Sequence, residues 1–334
     1  MGPVVTAHQV SKRFGEVVAL DEVSFSLREN VIYGLLGRNG AGKTTLMQIL
    51  TGHRLASSGR VEVFGEQPYE RERVLARVCF VREGQRYPDG FRVRHALRAA
   101  ELLFPRWDAD FARSLVDTFD LPLRRPVKKL SRGMLSALGV VIGLASRAPL
   151  TLFDEPYLGL DAPSRQAFYD RLLADYAAHP RTVLLSTHLI DEVGDLVEHV
   201  LLVDRGRLVL DEDADTLRGY AVALSGPLEA VNALAAGRSE LYRERVGGLS
   251  RVTVRGPFDD AAHHRARDLG VRVESVSLQQ LVVRLTAARS AGAAGWGTGP
   301  GGPAGSGPPP GSGPGGVGGA AGAGAADAAG AVPR

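Results

Sequence analysis

The sequence predicts an α/β fold, and three stretches predict it. Each is a short, largely apolar run that ends in polar residues. Val31 to Leu36 runs into Gly37 to Thr44, Leu150 to Phe153 into Asp154-Glu155, and Thr182 to Ser186 into Thr187-His188. Runs of this length without polar alternation read as buried strands, and the segments between them carry helical periodicity.

The first run is the most informative. Gly37-Arg38-Asn39-Gly40-Ala41-Gly42-Lys43-Thr44 fits the pattern G-x-x-x-x-G-K-[ST] of a phosphate-binding loop. After it, Leu46, Ile49 and Leu50 recur at helical spacing up to Thr51, and Gly52 sits where a C′ residue belongs. Glycines let such a loop turn its N–H groups inward, and the helix N-terminus adds positive potential. Lys43 is expected to reach the β- and γ-phosphates, and the Thr44 hydroxyl to ligate Mg²⁺. Without a ligand the same stretch would be a glycine-rich strand-to-helix turn, and the motifs downstream decide against that.

Composition sets outer bounds. With 334 residues the chain can hold one large domain or two, and 44% hydrophobic residues suffice for a core. No apolar run approaches a membrane span and no signal-peptide pattern opens the chain, so a soluble, intracellular protein is expected. A single cysteine excludes an internal disulfide; Cys79, inside the apolar run 78–81, reads as a small core residue. The net charge of +3 could suggest nucleic acid. Only four of the forty basic residues are lysine, however, and the arginines are interleaved with acids, so no nucleic-acid partner is expected.

Along the chain, residues 4–7, 17–20 and 23–27 read as strands. Phe14 lies between the first two, where it could stack on a nucleotide base or simply pack. Ser57-Ser58-Gly59 punctuates two strand-like runs, the second at 60–64, and residues 78–81 form another buried strand that ends in Arg82-Glu83-Gly84-Gln85. From about Val93 to Ala145 apolar residues recur at 3–4 spacing in three helices, with Asp108 capping the second and Ser131 the third. Asp154 at the end of the strand 150–153 can hold Mg²⁺ directly or through water, and Glu155 beside it can accept a proton from an attacking water. Arg165 to Ala177 reads as a helix. His188 follows the next strand, whose end faces the same crevice, and residues 200–210 make a hairpin around Asp204-Arg205-Gly206. Residues 220–286 mix strand and helix patterns and read as a small α+β appendage without a catalytic constellation, with His263-His264 as solvated surface. From about Ala287 to Arg334 the chain is dominated by Gly, Ala, Pro and Ser and is expected to be disordered.

With these motifs in order, residues 4 to about 217 resemble the ATP-binding subunit of an ABC transporter, most closely the cassettes paired with separate permeases of the ABC-2 export type. The resemblance implies a P-loop NTPase fold, with an N-terminal antiparallel β subdomain and an inserted helical subdomain at about 86–148. It implies an ATPase domain over 4–219 that binds ATP and Mg²⁺. The phosphate site would be Gly37, Arg38, Asn39, Gly40, Ala41, Gly42, Lys43, Thr44 and Thr45, with Phe14 stacking on adenine. Thr44 and Asp154 would hold Mg²⁺, Glu155 would be the catalytic glutamate and His188 the switch histidine. The family's Leu-Ser-Gly-Gly-Gln signature maps onto Leu130-Ser131-Arg132-Gly133-Met134, and Gly159-Leu160-Asp161 onto its D-loop. Ser131 and Gly133 are the positions that would touch the γ-phosphate across a dimer of cassettes. Two positions depart from the pattern. Arg132 and Met134 replace glycine and glutamine in the signature. Glu83 occupies the family's Q-loop glutamine position, with Gln85 two residues on, and either could sense the metal and the attacking water.

The resemblance implies an ATPase on the cytoplasmic face of the cell membrane. It would drive a separate permease and pair with an identical or a different cassette. Two other functions compete: a soluble ABC ATPase acting on DNA or the ribosome, and a nucleotide-binding regulator with little turnover. The first of these usually carries a long coiled-coil insertion or two cassettes in one chain, and neither is in this sequence. Glu155 and His188 argue against the second.

Overall fold

The computed structural model describes residues 2–256 and 258–290. The central sheet has six strands: β3 (Ile32–Leu36), β5 (Val78–Arg82), β6 (Leu150–Asp154), β7 (Thr182–Thr187), β8 (His199–Asp204) and β9 (Arg207–Asp213). Their order is β5-β6-β7-β3-β8-β9. The run from β5 to β8 is parallel, and β9 closes the edge as an antiparallel hairpin. Every residue of β3, β6 and β7 is buried, which is why these stretches read as unbroken apolar runs. In β5 the Cys79 thiol is pushed up to about 12 by burial, as befits an inert core residue.

This order positions the site. In a parallel sheet the carboxyl ends of all strands lie on one edge. The polar residues that follow β5, β6, β7 and β3 are therefore brought side by side, although they lie far apart in sequence.

A second, antiparallel sheet of β1 (Val5–Phe14), β2 (Val17–Leu27) and β4 (Ser58–Val63) covers α1 (Lys43–Leu50) and shares its core with the central sheet. The stretches 17–20 and 23–27, expected as two strands, are one: β2 pairs with β1 on both sides of Asp21-Glu22, where the register shifts and Glu22 takes a left-handed φ of 52°. The expected strand before Ser57 is absent, and Ser58-Gly59 belongs to β4. Gly59, at φ 85°, packs where any Cβ would collide with the Gln9 carbonyl oxygen. The four-residue α2 (Glu72–Leu75) precedes β5.

The helical block holds α3 (Val93–Leu103), α4 (Ala109–Thr118) and α5 (Arg132–Ala145). Asp108 caps α4 by accepting from Phe111 N–H at 2.7 Å, and Ser131 caps α5 by accepting from Met134 N–H at 3.2 Å, both as expected. Helix α5 lies tight against β5 and β6. A Cβ at Gly139 would come within 2.8 Å of Val81, and one at Gly143 would collide with the Phe153 ring. Helices α6 (Ala162–Ala178), α7 (Ile190–Val193) and α8 (Ala214–Arg218) complete the α/β part.

The C-terminal stretch runs β10 (Ala221–Pro227), α9 (Leu228–Ala235), β11 (Glu240–Val246), β12 (Leu249–Arg255), α10 (Asp260–Asp268), β13 (Arg272–Ser275) and α11 (Leu278–Ser290). Its sheet order β11-β12-β10-β13, with helices after the first and third strands, is the β-α-β-β-α-β arrangement of ferredoxin-like folds. One face is buried under α9 and α10 through Leu224, Val252, Val231 and Ala266. Helix α11 extends to Ser290, past the Ala287 expected to begin the tail; the rest of that stretch, from residue 291, lies outside the described residues.

Candidate functional site

The loop 37–42 leaves β3 and enters α1 through three glycines with positive φ: 152° at Gly37, 81° at Gly40 and 109° at Gly42. Two are also sterically required. A Cβ at Gly37 would collide with the Val203 carbonyl oxygen, and one at Gly42 would lie 2.6 Å from that of Ala19. Gly42 is the N-cap of α1, so the orphan N–H groups of its first turn face outward beside Lys43, Thr44 and Thr45. A cleft of about 560 Å³ opens there, lined by Arg38, Asn39, Gly40 and Ala41 together with Glu83, Glu155 and His188. That volume is in the range of cofactor sites.

Lys43 is 6% exposed. Its ammonium donates to the Gly37 carbonyl at 2.7 Å and lies 3.3 Å from Glu155 Oε1. Asp154, 4% exposed, accepts from Ser186 Oγ at 2.6 Å. Glu155 sits at φ 51°, a left-handed conformation rare for a non-glycine residue. Ser186 holds it there as well, since Glu155 N–H donates to Ser186 Oγ at 3.1 Å. The other Glu155 oxygen, Oε2, accepts from the Tyr157 hydroxyl and lies 2.6 Å from His188 Nδ1. A cation, a carboxylate and an imidazole thus meet at the ends of adjacent parallel strands. That is the constellation needed to hold a polyphosphate and deprotonate a water beside it.

The remaining predicted residues are placed less uniformly. Phe14 does not reach the cleft. It is 40% exposed, with Lys12 Nζ 5.3 Å and the Arg54 guanidinium 5.1 Å from its ring centre, and Val17 and Val18 line the cleft instead. Gln85 lines a smaller adjoining pocket with Glu83 and Glu155. Ser131 and Gly133 lie outside the cleft of their own chain, at the start of α5. There Gly133 abuts the Gly159 carbonyl so closely that a Cβ could not fit. Asp161, two residues on from Gly159, caps α6 by accepting from Ser164 N–H at 2.9 Å.

The two departures from the family pattern meet. Arg132, where the family has glycine, forms an ion pair with Glu83, where the family has glutamine. With side chains 68% and 42% exposed, the pair contributes about 0–1 kcal/mol. Its interest is placement, since both residues line the cleft.

Sequence reasoning missed Ser186 and Tyr157. The pattern of a serine closing a buried strand beside Asp-Glu could have flagged Ser186. Nothing local marks Tyr157, whose partners Thr187 and His188 arrive from another strand.

Comparison with known proteins agrees with this geometry. A family model described as ABC transporter matches residues 20–158. The chain is 30% identical over 321 residues to the daunorubicin resistance ATP-binding protein DrrA2 of Streptomyces coeruleorubidus, covering 86% of this chain and 97% of that one. It is 31% identical over 217 residues to the Nod factor export ATP-binding protein I of Cupriavidus metallidurans, covering 63% of this chain and 71% of that protein. Among solved structures, the ATP-binding subunit of an ABC transporter superposes with a TM-score of 0.59 at 23% identity, over 64% of this chain and 92% of that one, a likeness of fold. Such subunits work with membrane-spanning permease components, and among the described residues no helix is long and apolar enough to cross a membrane. The chain belongs to the ABC transporter family and is one of its ATP-binding, ATP-hydrolysing subunits.

Proposed function

We propose that this subunit powers an exporter from the cytoplasmic face of the membrane, hydrolysing ATP with the residues gathered at the ends of β3, β5, β6 and β7. The names of its relatives, for drug resistance and Nod factor export, support the outward direction. The observation that carries the catalytic reading is the Glu155 carboxylate held between Lys43 and His188 at 3.3 and 2.6 Å.

In this reading the loop amides and Lys43 bind the β- and γ-phosphates. Glu155 takes the proton of a water whose oxygen bonds to the γ-phosphorus. The bond from that phosphorus to the bridging oxygen breaks, and its electron pair leaves with ADP. Thr44 and Asp154 offer hard oxygen donors, the set Mg²⁺ prefers. Ser186 engages one oxygen of Asp154 and leaves the other for the metal or its water. When bound, the ion would neutralise charge developing on the β- and γ-oxygens. Glu83 fills the glutamine's place better than Gln85, because it lines the cleft directly.

The active unit would be two cassettes, identical or different. Ser131 and Gly133 of each would complete the other's nucleotide site, since they stand outside the cleft of their own chain. Residues 4–219 would form the ATPase domain, with a helical subdomain at about 86–148, and 220–286 an appended domain. Adenine would rest on the wall formed by Val17 and Val18, with Phe14 swinging in only if Lys12 and Arg54 release its ring.

Lys43→Ala tests the phosphate assignment. Losing a charge-assisted hydrogen bond costs about 1.5–3 kcal/mol, so calorimetric titration should show ATP binding weakened about 10- to 150-fold. Affinity within about twofold of wild type would remove Lys43 from the phosphate site.

A further inference from the structure

We propose that Tyr157 is a positioning residue for hydrolysis: its hydroxyl fixes Glu155 Oε2 and the His188 backbone, so that Oε1 alone faces the attacking water. The proposal rests on the reading of Glu155 as the general base.

The hydroxyl of Tyr157 is fully used. It donates to Glu155 Oε2, it accepts from Thr187 Oγ1 at 2.9 Å and from His188 N–H at 3.1 Å, and it lies 3.2 Å from His188 Nδ1. A phenol has one proton and two acceptor positions. With both acceptor positions taken by donors, and with His188 Nδ1 protonated toward Glu155 Oε2, the phenol proton has Glu155 as its acceptor. Thr187 is itself anchored, fully buried at the end of β7 and accepting from Leu189 N–H at 2.9 Å.

The Glu155 carboxylate therefore has two unlike ends. Oε2 is occupied by Tyr157 and, with the proton on Nδ1, by His188 at 2.6 Å. Oε1 has the Lys43 ammonium at 3.3 Å, and Glu155 lines the cleft. A carboxylate tethered at one oxygen cannot rotate freely, and a general base depends on geometry first. The phenol can serve this way at any ordinary pH, because burial and the bond to Glu155 hold it well above its usual pKa.

The bland alternative is that Tyr157 merely packs. It is 2% exposed, and buried tyrosines usually find a partner for the hydroxyl. What argues beyond packing is the identity of the partners: they are Glu155 and the segment that carries His188.

The variant Tyr157→Phe keeps the ring and deletes only the hydroxyl. Full-length chain would be compared in the wild-type and Glu155→Gln backgrounds for single-turnover hydrolysis, ATP affinity by calorimetry and thermal midpoint. The ring-nitrogen resonances of His188 supply a readout independent of turnover. Expected are a fall in hydrolysis of about tenfold, the scale of one hydrogen bond to a charged group, ATP affinity unchanged, and a shifted His188 signal. In the Glu155→Gln background the second substitution should change hydrolysis no further. Undiminished hydrolysis in Tyr157→Phe would overturn the proposal. So would an equal loss in both backgrounds, or a loss that tracks affinity or melting, since these mark a structural role. If Glu155→Gln itself turned over normally, the general-base reading would fail, an outcome distinct from failure of Tyr157→Phe alone.

Discussion

Asp175→Ala isolates what the fold spends on buried charge. Asp175 on α6 and Arg181, just ahead of β7, have side chains 3% and 2% exposed. Arg181 Nη1 lies 2.7 Å from Asp175 Oδ2, and Arg147 Nη2 lies 3.0 Å from Oδ1. Arg147 also reaches Asp108 at 2.8 Å, so the group ties α4, α6 and the approaches to β6 and β7 together. The Arg181–Asp175 contact is an ion pair without an aligned hydrogen bond, and Arg181 Nε and Nη2 find no acceptor among the described residues. Burial pulls the Arg181 guanidinium below its ordinary value in spite of the carboxylate beside it. Removing that carboxylate strands a buried cation, at a cost of about 3–5 kcal/mol. For a domain of this size that corresponds to a fall in Tm of roughly 6–20 °C, read by circular dichroism. A Tm within about 2 °C of wild type would show that Asp175 does not neutralise a costly buried cation. The double variant Asp175→Leu with Arg181→Met, which removes the charge from both sides, should recover most of the loss; a double variant no better than the single would show the same. Arg181 lies at the opposite end of β7 from His188, so ATP affinity should hardly change.

Two further outcomes follow from the structure. His199 sits between Asp211 at 2.6 Å and Asp213 at 2.8 Å; burial depresses its pKa, but the two carboxylates outweigh this and the net shift is upward. A raised folded pKa means that the stabilisation is complete below 6.5 and is lost as pH rises through the folded value. Urea midpoints of wild type should therefore exceed those of His199→Gln most at acid pH, and an advantage that grows with pH would contradict the pairing. Gly133→Ala forces a Cβ against the Gly159 carbonyl oxygen, so the start of α5 must shift by overpacking worth about 1–3 kcal/mol. ATPase activity should drop while ATP affinity of the isolated chain holds, and unchanged activity would show that this contact gives way freely.

The central strands and their functional ends were legible because each is a local pattern. Burial on both faces writes itself as an apolar run, and Gly37, Gly40 and Gly42 mark the backbone conformations the loop needs. The same logic explains what stayed hidden. Strand β11 is an edge strand with mostly exposed residues, so Glu240–Val246 carries no apolar alternation. Helix α10 buries only Ala266 and shows no apolar stripe. Helix α2 is four residues long, too short for any period. The division of β2 into two strands at Asp21-Glu22 mistook a bulge for a turn, because polar residues mark both in sequence. In the site, Asp154, Glu155 and His188 could be named from the ends of runs. The Arg132–Glu83 pair and the Tyr157 contacts join segments distant in sequence, and only the strand order brings them together.

In the proposed reaction Glu155 takes a proton from water at the end of β6. Glu155→Gln preserves the side chain's shape and its place beside Lys43 and His188 while removing the basic oxygen. Turnover of ATP by this variant, measured alongside its ATP affinity, is the most direct test. Hydrolysis should be lower by about 10²–10⁴, the usual contribution of a positioned general base, with ATP bound about as tightly as by wild type. Turnover close to wild type, with affinity intact, would contradict it.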